Sequence, residues 1–166
     1  GRAGPHARAV ARRARRRPLV TVRPPSLRAG AITVVEGVES PAEGCWRTLR
    51  VQLPAGVGPG EVAGVLVLLD GQNVFARSRA GEHGTWAVDD AMDRLIGRGE
   101  VAPWAVVGVD HRGIDRIADD APWPDPHVPV VPRGHLFAEF LSEDLPAWIG
   151  EHLPPGSDPA RRALGG

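Results

Sequence analysis

The chain has 166 residues, of which 42% are hydrophobic and 24% are charged, and this balance is typical of one globular domain with its own core. A single cysteine, Cys45, excludes an intrachain disulfide, and no run approaches the ~18 apolar residues that a membrane-spanning helix needs. The net charge is zero, but the charge is unevenly spread along the chain.

The N-terminal segment is strongly basic. Residues 1–17 carry seven of the 20 arginines and no acidic residue, so the rest of the chain is acidic. Such blocks bind nucleic acid or anionic membranes in some proteins, but this one lacks aromatic residues and a helical face. We therefore interpret residues 1–30 as a disordered Arg/Pro-rich arm and linker, or as upstream sequence translated from a misplaced start. Its paired arginines are not followed by the apolar stretch of a signal peptide, which favours a cytoplasmic protein.

Three strands are predicted in the first half of the chain. A β-branched run over 31–37 and an alternating pattern over 46–53 predict strands separated by a turn at 40–44. After a Gly/Pro-rich turn at 54–60, residues 62–69 form a continuous apolar run, which is typical of a strand buried on both faces. The alternating strands fit an antiparallel edge and the apolar strand fits the interior of a sheet.

A helix and a second buried strand follow. We predict that Thr85 caps a helix over 86–97, since one face of that segment is apolar at helical spacing. The apolar residues of this face are Val88, Ala91, Met92, Leu95 and Ile96. Residues 101–109 are again continuously apolar and predict a buried strand.

The last third of the chain is predicted to hold a long loop, a helix and a short strand. Residues 110–134 are rich in proline, and a loop of this length is more often functional or lid-like than idle. The pattern over 134–152 predicts an amphipathic helix that Pro146 kinks, and residues 161–164 begin a final strand.

The order of these elements predicts an α/β fold. Buried strands that alternate with amphipathic helices imply a mostly parallel sheet with right-handed crossovers, flanking helices and antiparallel N-terminal edge strands. Residues 31–166 would form this domain.

Three of the predicted strands have visible C-terminal ends, and open α/β sheets bind their ligands outside such ends. The first group is Asp70-Gly71-Gln72-Asn73, in which Gly71 permits a sharp turn that exposes backbone N–H groups. The second group is Asp110-His111-Arg112-Gly113, and the third is Gly165-Gly166. Irregular spacing argues against a metal site among the nearby acids and histidines, which are Asp110, His111, Asp115, Asp119, Asp120 and His127.

The common nucleophiles of the chain lie in unpromising contexts. Cys45 has no evident base near it in sequence, so we interpret it as a small residue beside a strand. Three serines fall in a polar loop, a helix and a turn respectively, and two histidines flank the second helix as surface residues. These residues are Ser78, Ser142, Ser157, His135 and His152.

Six segments in order resemble one protein family. They are RTLRVQLP (47–54), VLLDGQNVF (67–75), GTWAVDDAMDRLI (84–96), APWAVVGVD (102–110), FLSEDLPAWI (140–149) and RRALGG (161–166). Their order and spacing over residues 31–166 resemble the putative-esterase branch of the α/β-hydrolases, which includes enterochelin-esterase-like and feruloyl-esterase-like enzymes and the mycolyltransferases. The resemblance implies a serine carboxylic-ester hydrolase that forms an acyl-serine intermediate, takes a small-molecule ester and needs no cofactor or metal.

The resemblance also implies roles for particular residues. The backbone N–H of Gln72, supported by Gly71, would be one oxyanion-hole donor. Gly166 would be the first glycine of the G-x-S-x-G nucleophile elbow, so the Ser, Asp and His of the triad would all lie beyond it. Arg116 and Asp119 match part of an R-x-x-E-Y segment that belongs to the substrate loop, although the Tyr is lacking here.

The resemblance therefore predicts an N-terminal esterase fragment that is inactive alone, since acyl transfer needs an activated hydroxyl and a base. The alternative is a non-catalytic binding or regulatory domain on a hydrolase-like scaffold, with the arginine-rich arm on nucleic acid. We expect neither a membrane nor, on balance, a nucleic acid as partner, and the oligomeric state stays open. We also expect poor solubility, because a missing second half would leave a sheet edge uncovered.

Overall fold

The computed structural model describes residues 26–76 and 84–166 of the chain, and the basic residues 1–17 and Ser78 lie outside them. Five strands form one sheet in the spatial order β1-β2-β4-β3-β5. The strands are β1 (Ile32–Ser40), β2 (Cys45–Gln52), β3 (Gly64–Leu69), β4 (Trp104–Val109) and β5 (Arg162–Gly165).

The sheet has a parallel part and an antiparallel edge, which confirms the predicted fold class. Strand β3 pairs in parallel with β4 on one side and with β5 on the other. Strand β2 pairs antiparallel with both β4 and β1. The continuously apolar segments form the interior strands β3 and β4, and the alternating segments form the edge, as the burial of their side chains requires.

Strand β1 is longer than its β-branched run. A register shift between Val35 and Val38 interrupts its pairing with β2, and Gly37 lies in the bulge with a φ of 75°. Because glycine adopts this conformation without steric cost, the strand resumes after the bulge and continues to Ser40.

Five α-helical elements cover the two faces and the carboxyl edge of the sheet. They are α1 (Gly71–Val74), α2 (Val88–Gly97), α3 (Arg116–Asp120), α4 (Gly134–Glu139) and α5 (Leu145–His152). The prediction that Thr85 caps α2 is wrong. The helix begins at Val88, after Ala87 in a left-handed conformation, and the backbone N–H of Trp86 donates to the carbonyl of Asn73.

The predicted kink at Pro146 takes the form of a π-helical segment. Residues Phe140–Asp144 are π-helical and join α4 to α5 without a break. Pro146 lies at the start of α5 and has no N–H for the turn before it, so the wider segment relieves the missing hydrogen bond.

The segment between β4 and α4 is more ordered than the predicted loop. It holds a 3-10 turn at Gly113–Asp115 followed by α3. Sequence periodicity misses a helix of five residues, because it is too short to show a repeating apolar face. We call residues 110–133 the β4–α4 segment.

Two apolar clusters lie on opposite faces of the sheet. Val65 and Val67 of β3 pack with the helices that follow the β4–α4 segment, among them Phe140 and Ile149. The other face, with Val106 of β4, packs against α1 and α2 through their buried residues Val74, Phe75 and Met92. Burial of each such side chain stabilises the fold by about 1.5–3 kcal/mol, so the sheet is a rigid base for the loops at its edge.

Candidate active site at the carboxyl edge of the sheet

The three strand ends at Asp70, Asp110 and Gly166, which directly follow β3, β4 and β5, lie side by side at the carboxyl edge of the sheet. A cavity of about 150 Å³ opens there. Its lining includes six of the residues singled out in the sequence, and the full set is Arg47, Leu69, Asp70, Val109, His111, Arg116, Asp119, Asp120, Phe137 and Gly166. The topology therefore brings together residues that are far apart in the chain.

A tight turn connects β3 to α1 at this edge. Asp70 has a left-handed backbone with a φ of 53°. Gly71 lies so close to β4 that a Cβ at this position would be 2.6 Å from the carbonyl carbon of Gly108 and 2.7 Å from Oδ1 of Asp110. Glycine is therefore required here by close approach of the backbone.

Gln72 is fixed by contacts with the neighbouring strand end. Its side-chain oxygen Oε1 accepts a hydrogen bond of 3.1 Å from the backbone N–H of His111. Gln72 is the second residue of α1, so its own N–H belongs to the first helical turn, where N–H groups have no acceptor within the helix. The turn thus leaves a backbone donor without a helical acceptor directly after β3.

An ion pair joins the β4–α4 segment to this turn. Nη2 of Arg116 lies 2.6 Å from Oδ2 of Asp70, and its Nε lies 3.4 Å from Oδ2 of Asp120. The side chain of Arg116 is 49% exposed at the mouth of the cavity. Burial, together with the charges of Asp70 and Asp119, raises the pKa of Asp120 although Arg116 opposes the shift.

Asp110 is held by the edge strand. Arg50 of β2 donates two parallel hydrogen bonds to its carboxylate, from Nε to Oδ1 and from Nη2 to Oδ2, each of 2.8 Å. Such two-pronged contacts fix both partners in one plane. Asp110 therefore packs against the glycine turn while it is ion-paired with Arg50.

Asp119, in α3 of the β4–α4 segment, is surrounded by a cluster of arginines. It is only 1% exposed, and it accepts hydrogen bonds from Arg112, Arg133 and Arg47. Burial alone would raise the pKa of Asp119, but the hydrogen bond from Arg112 and the charges of the arginines outweigh it and hold that pKa below its ordinary value. We call Arg47, Arg112, Arg133 and Asp119 the arginine cluster.

Sequence reasoning missed two members of this cluster, Arg47 and Arg133, and named Arg112 only as part of a strand end. Arg47 is 2% exposed and lies in β2 at an inward position, in alternation with the buried Leu49 and Val51. Its guanidinium stacks on Phe137, with Cζ 4.1 Å from the ring centre, and it also binds Glu43. A charged residue at an inward strand position was the signal available in the sequence.

The other reactive side chains lie away from the cavity or are already engaged. Burial raises the pKa of the Cys45 thiol, which disfavours the nucleophilic thiolate. The Ser142 hydroxyl donates to the carbonyl of Glu139, and Ser157 lies in a 3-10 turn. His135 is exposed, as expected, whereas His152 is only partly exposed and stacks on Trp148.

No group of three or more metal-ligating side chains in residues 26–76 and 84–166 is arranged to hold a metal ion. No helix in the same residues is long and apolar enough to cross a membrane.

The sheet order and the position of the cavity define an α/β protein of the hydrolase type, with its site at the carboxyl ends of the parallel strands. The sequence profile of the family described as "Putative esterase" matches residues 40–166. The chain belongs to this family.

Solved structures share the fold. A BES protein from Bacillus cereus aligns with a TM-score of 0.63 and 21% identity, over 88% of this chain and 55% of its own. An IroE-like serine hydrolase from Shewanella oneidensis aligns with a TM-score of 0.57 and 17% identity, over 81% and 42% respectively. A ferulic acid esterase aligns with a TM-score of 0.51 and 18% identity, over 81% of this chain and 48% of its own. The chain thus spans about half the length of these proteins, and none of the curated proteins searched matches it.

Proposed function

We propose that this chain supplies the oxyanion-hole side of the active site of a serine carboxylic-ester hydrolase. The observation that carries the proposal is the turn after β3, where Gly71 packs on β4 and Gln72 follows Asp70, a residue of the cavity lining, in the first turn of α1. A donor of this kind stabilises the negative charge that develops on the carbonyl oxygen during acyl transfer. Membership of the esterase family supports the assignment.

Gly166 is the proposed first residue of the nucleophile elbow. It follows β5 and packs against the end of β3, where a Cβ at Gly166 would be 2.9 Å from Cβ of Leu69. Since β3 and β5 are neighbours in the sheet, a nucleophile carried directly after Gly166 would face the turn that holds Gln72. A small ester is the proposed ligand of the cavity between them.

Arg116 and Asp119 take different parts in this proposal. Arg116 stands at the mouth, where a substrate passes its half-exposed guanidinium. Asp119 lies in the cavity lining but is 1% exposed and bound by three arginines, so its proposed part is to hold those residues in place.

We further propose that the chain does not hydrolyse esters by itself. The Ser40 hydroxyl is buried and donates to Glu43, and Ser142 donates to a helical carbonyl. Neither hydroxyl is paired with a histidine base, which serine acyl transfer requires. The oxyanion donor alone retains a small part of the rate enhancement.

The test uses the chain with a short ester as probe. In a ¹H–¹⁵N NMR titration with methyl butyrate, we expect the amides of Asp70, Gln72 and His111 to shift together. Gln72→Pro removes the backbone donor, and the weakened hydrogen bonding should raise the dissociation constant about fivefold. Gln72→Ala is the matched control, since it loses the same side chain but keeps the N–H. Release of p-nitrophenol from p-nitrophenyl acetate should stay at the background rate.

Two results would contradict these proposals in different ways. Shifts confined to other surfaces, or equal affinities for the two variants, would remove the oxyanion assignment. Turnover of p-nitrophenyl acetate that co-purifies with the chain would keep the esterase assignment and overturn the inactivity.

A further inference from the structure

The arginine cluster closes the β4–α4 segment on itself. Arg112 lies near the start of the segment and Arg133 at its end, and both bind Asp119 in α3 between them. Arg112 donates from Nε and Nη2 at 2.8 and 2.9 Å, and Arg133 donates from Nη2 at 3.0 Å. One carboxylate therefore gathers both ends of the segment.

A third arginine connects the segment to the sheet. Nη2 of Arg47 in β2 lies 3.1 Å from Oδ2 of Asp119, and the side chains of both residues are at most 2% exposed. Arg47 is itself held by Glu43 and by the ring of Phe137. Asp119 thus connects α3, which lies at the cavity, to the sheet through Arg47.

The segment has little else to keep it in place. Helix α3 has five residues, far below the length at which a helix is stable alone. Ile114, Ile117 and Trp123 of the segment are more than half exposed, so they contribute little apolar burial. Backbone bonds from Arg133 to Ala118 and from Gly134 to Ala121 close its C-terminal end.

We propose that Asp119 is a positioning residue, which holds α3 over the candidate active site so that Arg116 meets Asp70 beside the Gln72 amide. The contribution of Asp119 to ester hydrolysis rests on the proposed function, whereas its contribution to the position of α3 does not. Loss of the carboxylate would leave the buried guanidinium of Arg47 with Glu43 alone, and Arg112 and Arg133 with only the more exposed Asp115. Uncompensated buried charge of this kind is strongly unfavourable.

Amide hydrogen exchange on the chain tests this proposal without any substrate. In Asp119→Asn, which keeps the shape and removes the charge, we expect the hydrogen-bonded amides of residues 113–121 and 70–73 to exchange about a hundredfold faster. In 70–73 the amide to follow is that of Asn73, which donates to the carbonyl of Asp70. Amides of β3 and β4 should keep their wild-type rates. Asp90→Asn makes the same change at an exposed position of α2 and should alter neither group. Asp119→Glu should restore part of the protection.

The pattern across the molecule separates positioning from general stability. Faster exchange that includes β3 and β4 to the same extent would overturn the proposal, as would unchanged exchange at 70–73. If Asp119→Asn does not fold, Arg112→Gln removes two of the hydrogen bonds and should give the same pattern at smaller amplitude. Because exchange reports only on the segment, a failed ester titration would remove the proposed function and leave this result standing.

Discussion

At the residue scale, the site depends on how closely two strand ends approach. The space between Gly71 and Gly108 admits no side chain at either position, since a Cβ on Gly108 would lie 2.8 Å from Cα of Gly71. This contact sets the direction in which α1 leaves the sheet. The proposed donor, the backbone N–H of Gln72, therefore depends for its position on the absence of side-chain atoms at these two glycines.

Gly71→Ala tests this requirement. The added methyl group would overlap backbone atoms of β4, which cannot rotate away, so we expect the free energy of unfolding to fall by about 2 kcal/mol. Urea denaturation followed by circular dichroism measures the change.

Gly97→Ala is the matched control for this substitution. Gly97 ends α2, and a Cβ there would have no neighbour within 4 Å. Alanine is the better helix former, so stability should rise by about 0.5 kcal/mol. Equal effects of the two substitutions would show that close approach at Gly71 is unimportant.

The sequence predicted this part of the site better than the ionic part. Asp-Gly directly after an apolar run predicts the turn from local chemistry, and the family resemblance adds the proposed donor at Gln72. The partners of Asp119 come from β2 and from both ends of a long segment, and no local pattern relates Arg47 to Arg133. Charged pairs that are distant in sequence become visible only when the strand order is known.

At the scale of elements, the strands were the predictable part of the fold. Their apolar patterns placed β3 and β4 to within three residues of the observed ends. Helix α3 and the π-helical segment before Pro146 were not predictable in detail, because tertiary contacts fix them. The cluster binds α3, and the helical residues around Pro146 pack on the sheet through Phe140, Leu145 and Ile149.

The stability that the arginine cluster gives to the β4–α4 segment should depend on pH. Because the pKa of Asp119 is lowered in the folded chain, its contribution to stability is fully present above the ordinary value of 3.8 and is lost as the pH falls through the lower folded value. Arg47, Arg112 and Arg133 keep their charge throughout, and Glu43 and Asp115 are the other carboxylates that face them.

Urea titrations of wild type and Asp119→Asn between pH 7 and pH 2.5 isolate this contribution. The difference in free energy of unfolding between the two proteins should be constant above pH 5 and should shrink below pH 3.8. A difference that is independent of pH would show that the Asp119 charge does not stabilise the fold.

At the scale of the whole molecule, β5 forms one edge of the described sheet. It pairs with β3 alone, and Leu164 within it is 61% exposed. An apolar groove of about 260 Å³ runs between β5 and α5, lined in part by Leu145 and Ile149. Open strand edges beside apolar surface favour association between chains.

We therefore expect the chain to self-associate as its concentration rises. Leu164→Arg places a charge on the strand edge and should shift the sedimentation profile toward monomer. Val131→Arg, at a residue that is 80% exposed in the β4–α4 segment, adds the same charge away from the edge and should leave the profile unchanged. A monomeric wild-type chain at all concentrations would contradict the prediction.

The pairing of β5 with β3 also sets an order of events during synthesis. About forty residues separate β3 from β4, whereas about a hundred separate β3 from β5, and contacts between distant segments form later. In a nascent chain, β3 and β4 would pair and close the core before β5 pairs with the other side of β3. Gly166, which follows β5, would therefore join the cavity wall only after β3 and β4 have paired.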